Sequence, residues 1–260
     1  MCLMLKWKEC IKPLTQGVIV ASDEKQEWLL PWWWDNYSKH NDFPVTFIDF
    51  GLSSGAKEWC SQRGELAELP SLTFEASRDE TLEDKAVFWE SIYEGRKWWD
   101  KRASWHKKPI AMLQSPYDKT LWLDTDCEVK GNLGSLFAQI VDKDSLLICP
   151  ELEEMQEFDR AHGHLLEGEV LFNSGVVGFT RGSKQIMDWA LSTISDHGSH
   201  WSDQNLLSRL IHENKWSIQV LDRLYNWREC THGKNPKVKI THWVGESGKF
   251  FISMKMQKFI

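Results

Sequence analysis

The chain has 260 residues, 42% hydrophobic and 27% charged, with a formal net charge of −7. That length allows one sizeable α/β domain rather than two full ones, and the composition excludes a disordered chain. The negative balance argues against a general nucleic-acid binder, and six scattered cysteines without a CxxC pair exclude a zinc ribbon or a disulfide framework, so a reduced, cytoplasmic protein is expected.

In chain order, the N-terminal MCLMLKWKECIKPL is broken by charge too early for a secretory apolar region. GVIVASD (Gly17 to Asp23) predicts a strand buried on both faces, then a helix start. EKQEWLLPWWWDNYSKHN is helical in tendency, with Pro31 near a start or a kink. FPVTFIDFGLS (Phe43 to Ser53) is the next strand, SGAKEWCSQRG a short helix closed by Gly64 as its C-cap, and Glu65 to Leu69 a weaker strand. Alternating strands and helices indicate a parallel α/β sheet. Leu72 to Lys108, rich in charge and tryptophan, is expected to form helices over the sheet and part of a site wall. Lys108-Pro109-Ile110 opens a helix through Gln114, with Pro109 in a favoured first-turn position. A turn at Ser115 to Asp118 leads into the strand TLWL and then DTDCEV.

GNLGSLF (Gly131 to Phe137) turns back into a helix, and SLLICP (Ser145 to Pro150) is another strand. The acidic Glu151 to Glu169 reads as an excursion at the sheet's edge. VLFNSGVVGFT (Val170 to Thr180) is a strand. SKQIMDWALSTIS and SDQNLLSRLIHENK are amphipathic helices, the second with Ser202 as N-cap. SIQVLDRLYNW gives a strand and turn, and VKITHWVGESGKF (Val238 to Phe250) a strand followed by a Gly-rich loop. No repeat, linker or boundary divides residues 1–260, and no apolar run approaches a bilayer span. Tryptophan is the outlier, with 16 residues, and two clusters, PWWWD and KWWDK, stand out. Packing is the expectation for most of them, with one or two lining a saccharide site. The C-terminal FFISMKMQKFI can touch a membrane surface or a partner, although ordinary packing accounts for it too.

The chemistry concentrates at Asp124 and Asp126. In an extended segment alternate side chains share a side, so the two carboxylates converge. Like charges that close are costly without a cation, and hard oxygens suit Mg²⁺ or Mn²⁺. The apolar Leu121 to Leu123 place the pair at the C-terminal end of a strand, where open α/β sheets bind ligands. A solvated turn with two capping aspartates fits the same pattern, and so does a haloacid-dehalogenase-type phosphatase with Asp124 as nucleophile. Against the phosphatase, about 120 residues precede the motif, Glu128 stands where Thr or Val is expected, and the later paired aspartates are not visible. A non-catalytic sugar-binding protein is the third reading, suggested by the tryptophans.

KPIAMLQSPYD, LWLDTDCEV, GNLGSLF, FNSGVVGF, SDQNLL and ITHWVG follow one another in an order that resembles GT-A-fold glycosyltransferases of the family 8 type. The resemblance covers roughly residues 17 to 250. It implies a Rossmann-like single domain with a mostly parallel sheet flanked by helices, its nucleotide-binding half at about 17–130 and its acceptor-side half at about 131–250. It also implies sugar transfer with retention from a nucleotide-sugar, UDP-hexose first, to a saccharide, lipid or protein. By the same resemblance Asp126 and His242 hold Mn²⁺ or Mg²⁺ against the diphosphate, and Asp124 binds the metal or the donor's ribose. Lys249 and Lys108 add positive charge, and Ala21, Ser22 and Asp23 meet the nucleoside. Asn173, Ser174 and Gly175 line the sugar pocket, Gly245 contributes to the donor site, and Asp203 and Gln204 sit by the sugar and acceptor. The family often spaces His, Gly and Lys as H-x2-G-x2-K; here Lys249 lies one position later.

Overall fold

A computed structural model describes residues 15–92, 98–141 and 143–257; the reading of the N-terminal fourteen residues and of Lys97 falls outside them. The apolar runs become β1 (Gln16–Ser22), β2 (Val45–Asp49), β3 (Glu65–Glu68), β4 (Lys119–Leu123), β5 (Cys127–Val129), β6 (Ser145–Pro150), β7 (Phe172–Thr180), β8 (Ser217–Val220) and β9 (Ile240–His242). Seven form one sheet in the order β3-β2-β1-β4-β7-β6-β8, while β5 and β9 make a separate antiparallel pair. Only β7 runs against the others in the large sheet, pairing antiparallel to both β4 and β6. The chain winds outward from β1 through β2 to β3, then returns to place β4 on the other side of β1. This reversal between β1 and β4 is the switch point at which such sheets open a crevice. Val18, Ile19, Val20, Leu121 and Leu123 are fully buried there, which explains why neither strand alternates polar and apolar residues.

Helices α1 (Leu29–Ser38), α2 (Ser54–Ser61), α3 (Glu83–Ile92), α4 (Trp99–Met112), α5 (Gly134–Gln139), α6 (Glu153–Ala161), α7 (Lys184–Asp196), α8 (Asp203–Asn214), α9 (Glu229–His232) and α10 (Gly245–Gln257) pack around this sheet. None of the described helices is long and apolar enough to cross a membrane. The tryptophan clusters are largely structural. Trp33 is fully buried and stacks on Tyr37 with ring centroids 5.0 Å apart. Trp98 stacks on Trp99 at 3.9 Å, and both pack with Trp89 and Trp201.

Four expectations are corrected. Pro109 does not open a helix but lies inside α4, in its last turn, so the missing N–H is tolerated within a helix that begins ten residues earlier. Gly64 is not a left-handed cap; a Cβ there would come within 2.2 Å of the Val45 carbonyl, so the glycine serves close approach to β2. Glu151 to Glu169 forms α6 and follows a strand inside the sheet, not at its edge. Its buried carboxylates at Glu151 and Glu169 are neutralised by Arg228 and Arg209 at 2.6 and 3.0 Å. The Gly-rich segment after β9 is the start of α10, where a Cβ on Gly248 would come within 2.0 Å of the Trp243 carbonyl. Midway along α10, Phe250 and Phe251 are exposed and Ile252 is buried.

Arg102 in α4 shows how the site is scaffolded. It is fully buried and donates to the carbonyls of Ala76 (2.6 Å), His200 (2.9 Å), Trp201 (3.1 Å) and His197. Burial pulls its pKa down to about 9, which still leaves it charged at neutral pH. The clamp fixes the segment 197–201 that leads directly into α8. Arg102→Leu leaves those carbonyls without a donor, and we expect it to cost about 3–5 kcal/mol of stability in denaturant unfolding; a loss under 1 kcal/mol contradicts the clamp.

Candidate active site

The turn after β4 carries the two aspartates. They are not in an extended strand, as alternation had suggested: Cys127 N donates back to Asp124 O at 3.0 Å, closing a tight turn into β5. The carboxylates nevertheless converge. His242 Nε2 lies 3.2 Å from Asp126 Oδ1 and 3.8 Å from Asp124 Oδ2. The pairing of β5 with β9 sets this meeting, since Cys127 stands opposite His242 in register and Trp243 N donates to Asp126 O at 3.0 Å. Two segments distant in sequence thus meet at one point.

Two lysines flank the carboxylates. Lys249, on the first turns of α10, donates to Asp126 Oδ2 at 2.9 Å. The one-position offset from the family spacing therefore does not keep it from the cluster. Lys108, fully buried in α4, reaches Asp124 Oδ1 at 3.1 Å, Ser174 Oγ at 2.9 Å and Asp203 Oδ2 at 3.4 Å. Burial works against each of these charges. For Asp126 it is outweighed by the Lys249 ammonium beside it, which holds the carboxyl well below the usual range. For Lys108 burial is outweighed by Asp124 and Asp203, and the ammonium is held above its ordinary value. For Asp203 burial prevails over Lys108 and Ser174, and its carboxyl is pushed up.

β7 supplies the floor. Its register against β6 jumps so that Ile148 pairs with Val177 but Cys149 with Asn173, leaving residues 174–176 in a bulge. The bulge puts Ser174 Oγ against Asp203 Oδ2 at 2.8 Å, so the helix-start aspartate bonds across to the strand. It also brings the backbone of Gly175 against the face of His242: a Cβ there would stand 2.1 Å from Cε1. Gln204 lies beside them, its Oε1 3.5 Å from Asn173 Nδ2.

A cavity of about 300 Å³ opens over the carboxylates. Ala21, Ser22 and Asp23 line it from the end of β1, Gly245 and Lys249 from α10, and Lys108 from α4. Asp23 is held by Ser104 Oγ at 2.7 Å, and Lys101 of α4 pairs with Glu246 of α10 across the mouth. Trp98, Trp105 and Trp122 are the tryptophans on the wall.

Sequence reasoning missed several of these partners. Trp122 donates to Asp124 Oδ1 at 2.7 Å, and its position two residues earlier on the same face could have revealed it. Glu128, without a role in the sequence, accepts from Trp243 Nε1 and Lys255 at 2.9 Å each and so anchors α10. Asn226, whose Oδ1 lies 2.9 Å from His242 Nδ1, gave no signal within the turn RLYNW.

The donor chemistry fits a divalent cation. Asp126 Oδ1 is buried without a hydrogen-bond partner while it faces an imidazole nitrogen. Asp126, Cys127 and His242 offer ligand atoms within 4.8 Å of one another. Burial pushes the Cys127 thiol well above its ordinary value, and it donates to Gly175 O at 3.7 Å, so it stays a protonated core group. The carboxylates and imidazole remain, a set suited to Mn²⁺ or Mg²⁺.

The galactosyltransferase LgtC superposes with a TM-score of 0.60 at 12% identity, covering 93% of this chain and 94% of its own. The chain has the GT-A glycosyltransferase fold. Mouse xyloside xylosyltransferase 1 matches at TM-score 0.53 and 16% identity, over 90% of this chain and 97% of that one. GlyE of Streptococcus pneumoniae TIGR4 matches at 0.55 and 18%, over 89% of this chain but 55% of its own. No protein-family model and no curated protein sequence matches the chain.

Proposed function

We propose that this protein is a metal-dependent glycosyltransferase that moves a sugar, UDP-hexose as first donor, to a saccharide, lipid or protein acceptor with retention. The observation that carries the reading is the convergence of Asp126 and His242, with an orphaned carboxylate oxygen facing a ring nitrogen between two lysines. The matched glycosyltransferase folds favour transfer over the phosphatase alternative.

Asp126, His242 and Asp124 would hold the cation, which when bound supplies Lewis-acid stabilisation of the charge gathering on a departing diphosphate. Lys249 and Lys108 add fixed positive charge on either side. With Asp203 ionised, three carboxylates face two ammonium groups, a deficit of one positive charge. A divalent ion turns this into an excess of one, which a diphosphate can use. Ala21, Ser22 and Asp23 would meet the nucleoside, and Asn173, Ser174 and Gly175 the donor sugar. Lys108 also orients Asp203, so that Asp203 and Gln204 present their polar groups to the sugar and acceptor. The nucleotide-binding and acceptor sides would fall at about 17–130 and 131–250.

The test is UDP binding by calorimetry with Mn²⁺ and with chelator, followed by hydrolysis of a panel of nucleotide-sugars. UDP binding that needs Mn²⁺, with turnover of at least one UDP-hexose, is expected. A chain that binds no UDP under any metal condition is not this enzyme.

A further inference from the structure

We infer that Asn226 is a positioning residue: it fixes the tautomer of His242 so that the ring nitrogen facing Asp126 is the one without a proton. The inference rests on the proposed metal site but concerns residues on this chain that the site reading leaves without a role.

The backbone N–H of Gly175 donates to Asn173 Oδ1 at 3.0 Å. At its other end Asn173 Nδ2 donates to Glu151 Oε2 at 2.9 Å, and that carboxylate accepts from Arg228 at 2.7 and 2.6 Å. A backbone donor at one end and an Arg-bound carboxylate at the other leave the Asn173 amide one orientation. Its oxygen then also accepts from Asn226 Nδ2, at 2.8 Å. With its nitrogen so committed, Asn226 must present its oxygen to His242 Nδ1, 2.9 Å away. Nδ1 therefore carries a proton, so in the neutral ring Nε2 is the nitrogen that keeps its lone pair, 3.2 Å from Asp126 Oδ1.

The network is buried. Asn173, Asn226, His242 and Glu151 are each 5% exposed or less. Asn226 is carried on backbone that zips onto β9, with Trp227 N donating to Ile240 O at 3.0 Å and His242 N to Trp227 O at 2.8 Å. Partners of this kind orient a ligating imidazole and raise its basicity, and their loss typically costs ~10–100-fold in metal affinity. The same chain links the ligand to Asn173, so the imidazole and the residues proposed for the sugar pocket share one hydrogen-bond register.

The experiment pairs two readouts on the full chain. Long-range ¹H–¹⁵N NMR at pH 8 reads the His242 tautomer, and calorimetry with Mn²⁺ alone reads affinity. The wild type should carry the proton on Nδ1. Asn226→Leu should lose that preference and bind Mn²⁺ ~10–100-fold more weakly; Asn226→Ala removes the same acceptor and serves if the leucine variant does not fold. Asn226→Asp, which still accepts from Nδ1–H, should keep Mn²⁺ affinity near wild type even where its stability falls. A proton on Nε2 alone in the wild type overturns the proposal, as does unchanged affinity in both Asn226→Leu and Asn226→Ala. A wild type that binds no Mn²⁺ removes the metal reading, and the proposal with it. A wild type that binds Mn²⁺ beside apolar variants that bind it equally well removes the proposal alone.

Discussion

Asp126→Ala should abolish the Mn²⁺-dependent part of UDP binding and lower sugar transfer by about 10²–10³-fold, the range found when a preorganised group that stabilises developing charge is deleted. Two effects of opposite sign meet in this variant, and their sizes decide what to measure. Removing one negative charge about 4–5 Å from a diphosphate relieves roughly 3–4 kcal/mol of repulsion at an effective dielectric near 20. Lys249, no longer paired to Asp126 at 2.9 Å, is also freed toward the ligand. UDP binding in chelator should therefore hold or tighten. The cation loses more, because Asp126 is the carboxylate with an unpartnered buried oxygen, whereas Asp124 is already tied to Trp122 and Lys108. The diagnostic is thus the difference between titrations with Mn²⁺ and with chelator. A variant that keeps that difference shows that the cation, if it binds, is held elsewhere.

Much of this was legible in the sequence for a simple reason: strands buried on both faces leave unbroken apolar runs, and β1 and β4 each do so. Asp124 and Asp126 were reachable because they follow such a run, and His242 through the order of motifs that carries the family resemblance. What was not legible depends on contacts between segments. Asp124 and Asp126 converge through a turn and the β5–β9 pairing, although strand alternation gave the same outcome for a different reason. Gly245 and Gly248 looked like loop residues; in the fold one takes a φ of +74° ahead of α10 and the other lets the helix approach the Trp243 carbonyl. Pro109 read as a helix start because the charged stretch before it hid α4, whose interior is fixed by the buried Arg102 and His106 and not by an apolar stripe. Asn226 was invisible because its role exists only once His242, 16 residues on, has paired with β5.

Gly175→Ala is the second variant with a large expected effect, and it tests the steric logic of the site directly. A Cβ at 175 would lie 2.1 Å from His242 Cε1, 2.7 Å from Nδ1 and 2.8 Å from Nε2, all inside any real contact distance. The backbone itself does not forbid alanine, since Gly175 is not among the residues with positive φ. The clash must be relieved by the ring. His242 is held behind by β9 and at Nδ1 by Asn226, so it can yield only by turning away from Asp126. Overpacking of this kind costs about 1–3 kcal/mol of stability. Mn²⁺ affinity should fall by about 10²-fold, because a bond length of displacement removes a ligand altogether. A double-mutant cycle separates the ring from general damage. In a His242→Ala background the space beside residue 175 is vacant, so adding Gly175→Ala should cost almost nothing in stability and nothing further in Mn²⁺ affinity. The coupling between the two positions should then approach the whole of the single-mutant cost. Equal stability losses in both backgrounds would place the damage in the β7 bulge instead, and the glycine would be needed for the strand rather than for the histidine.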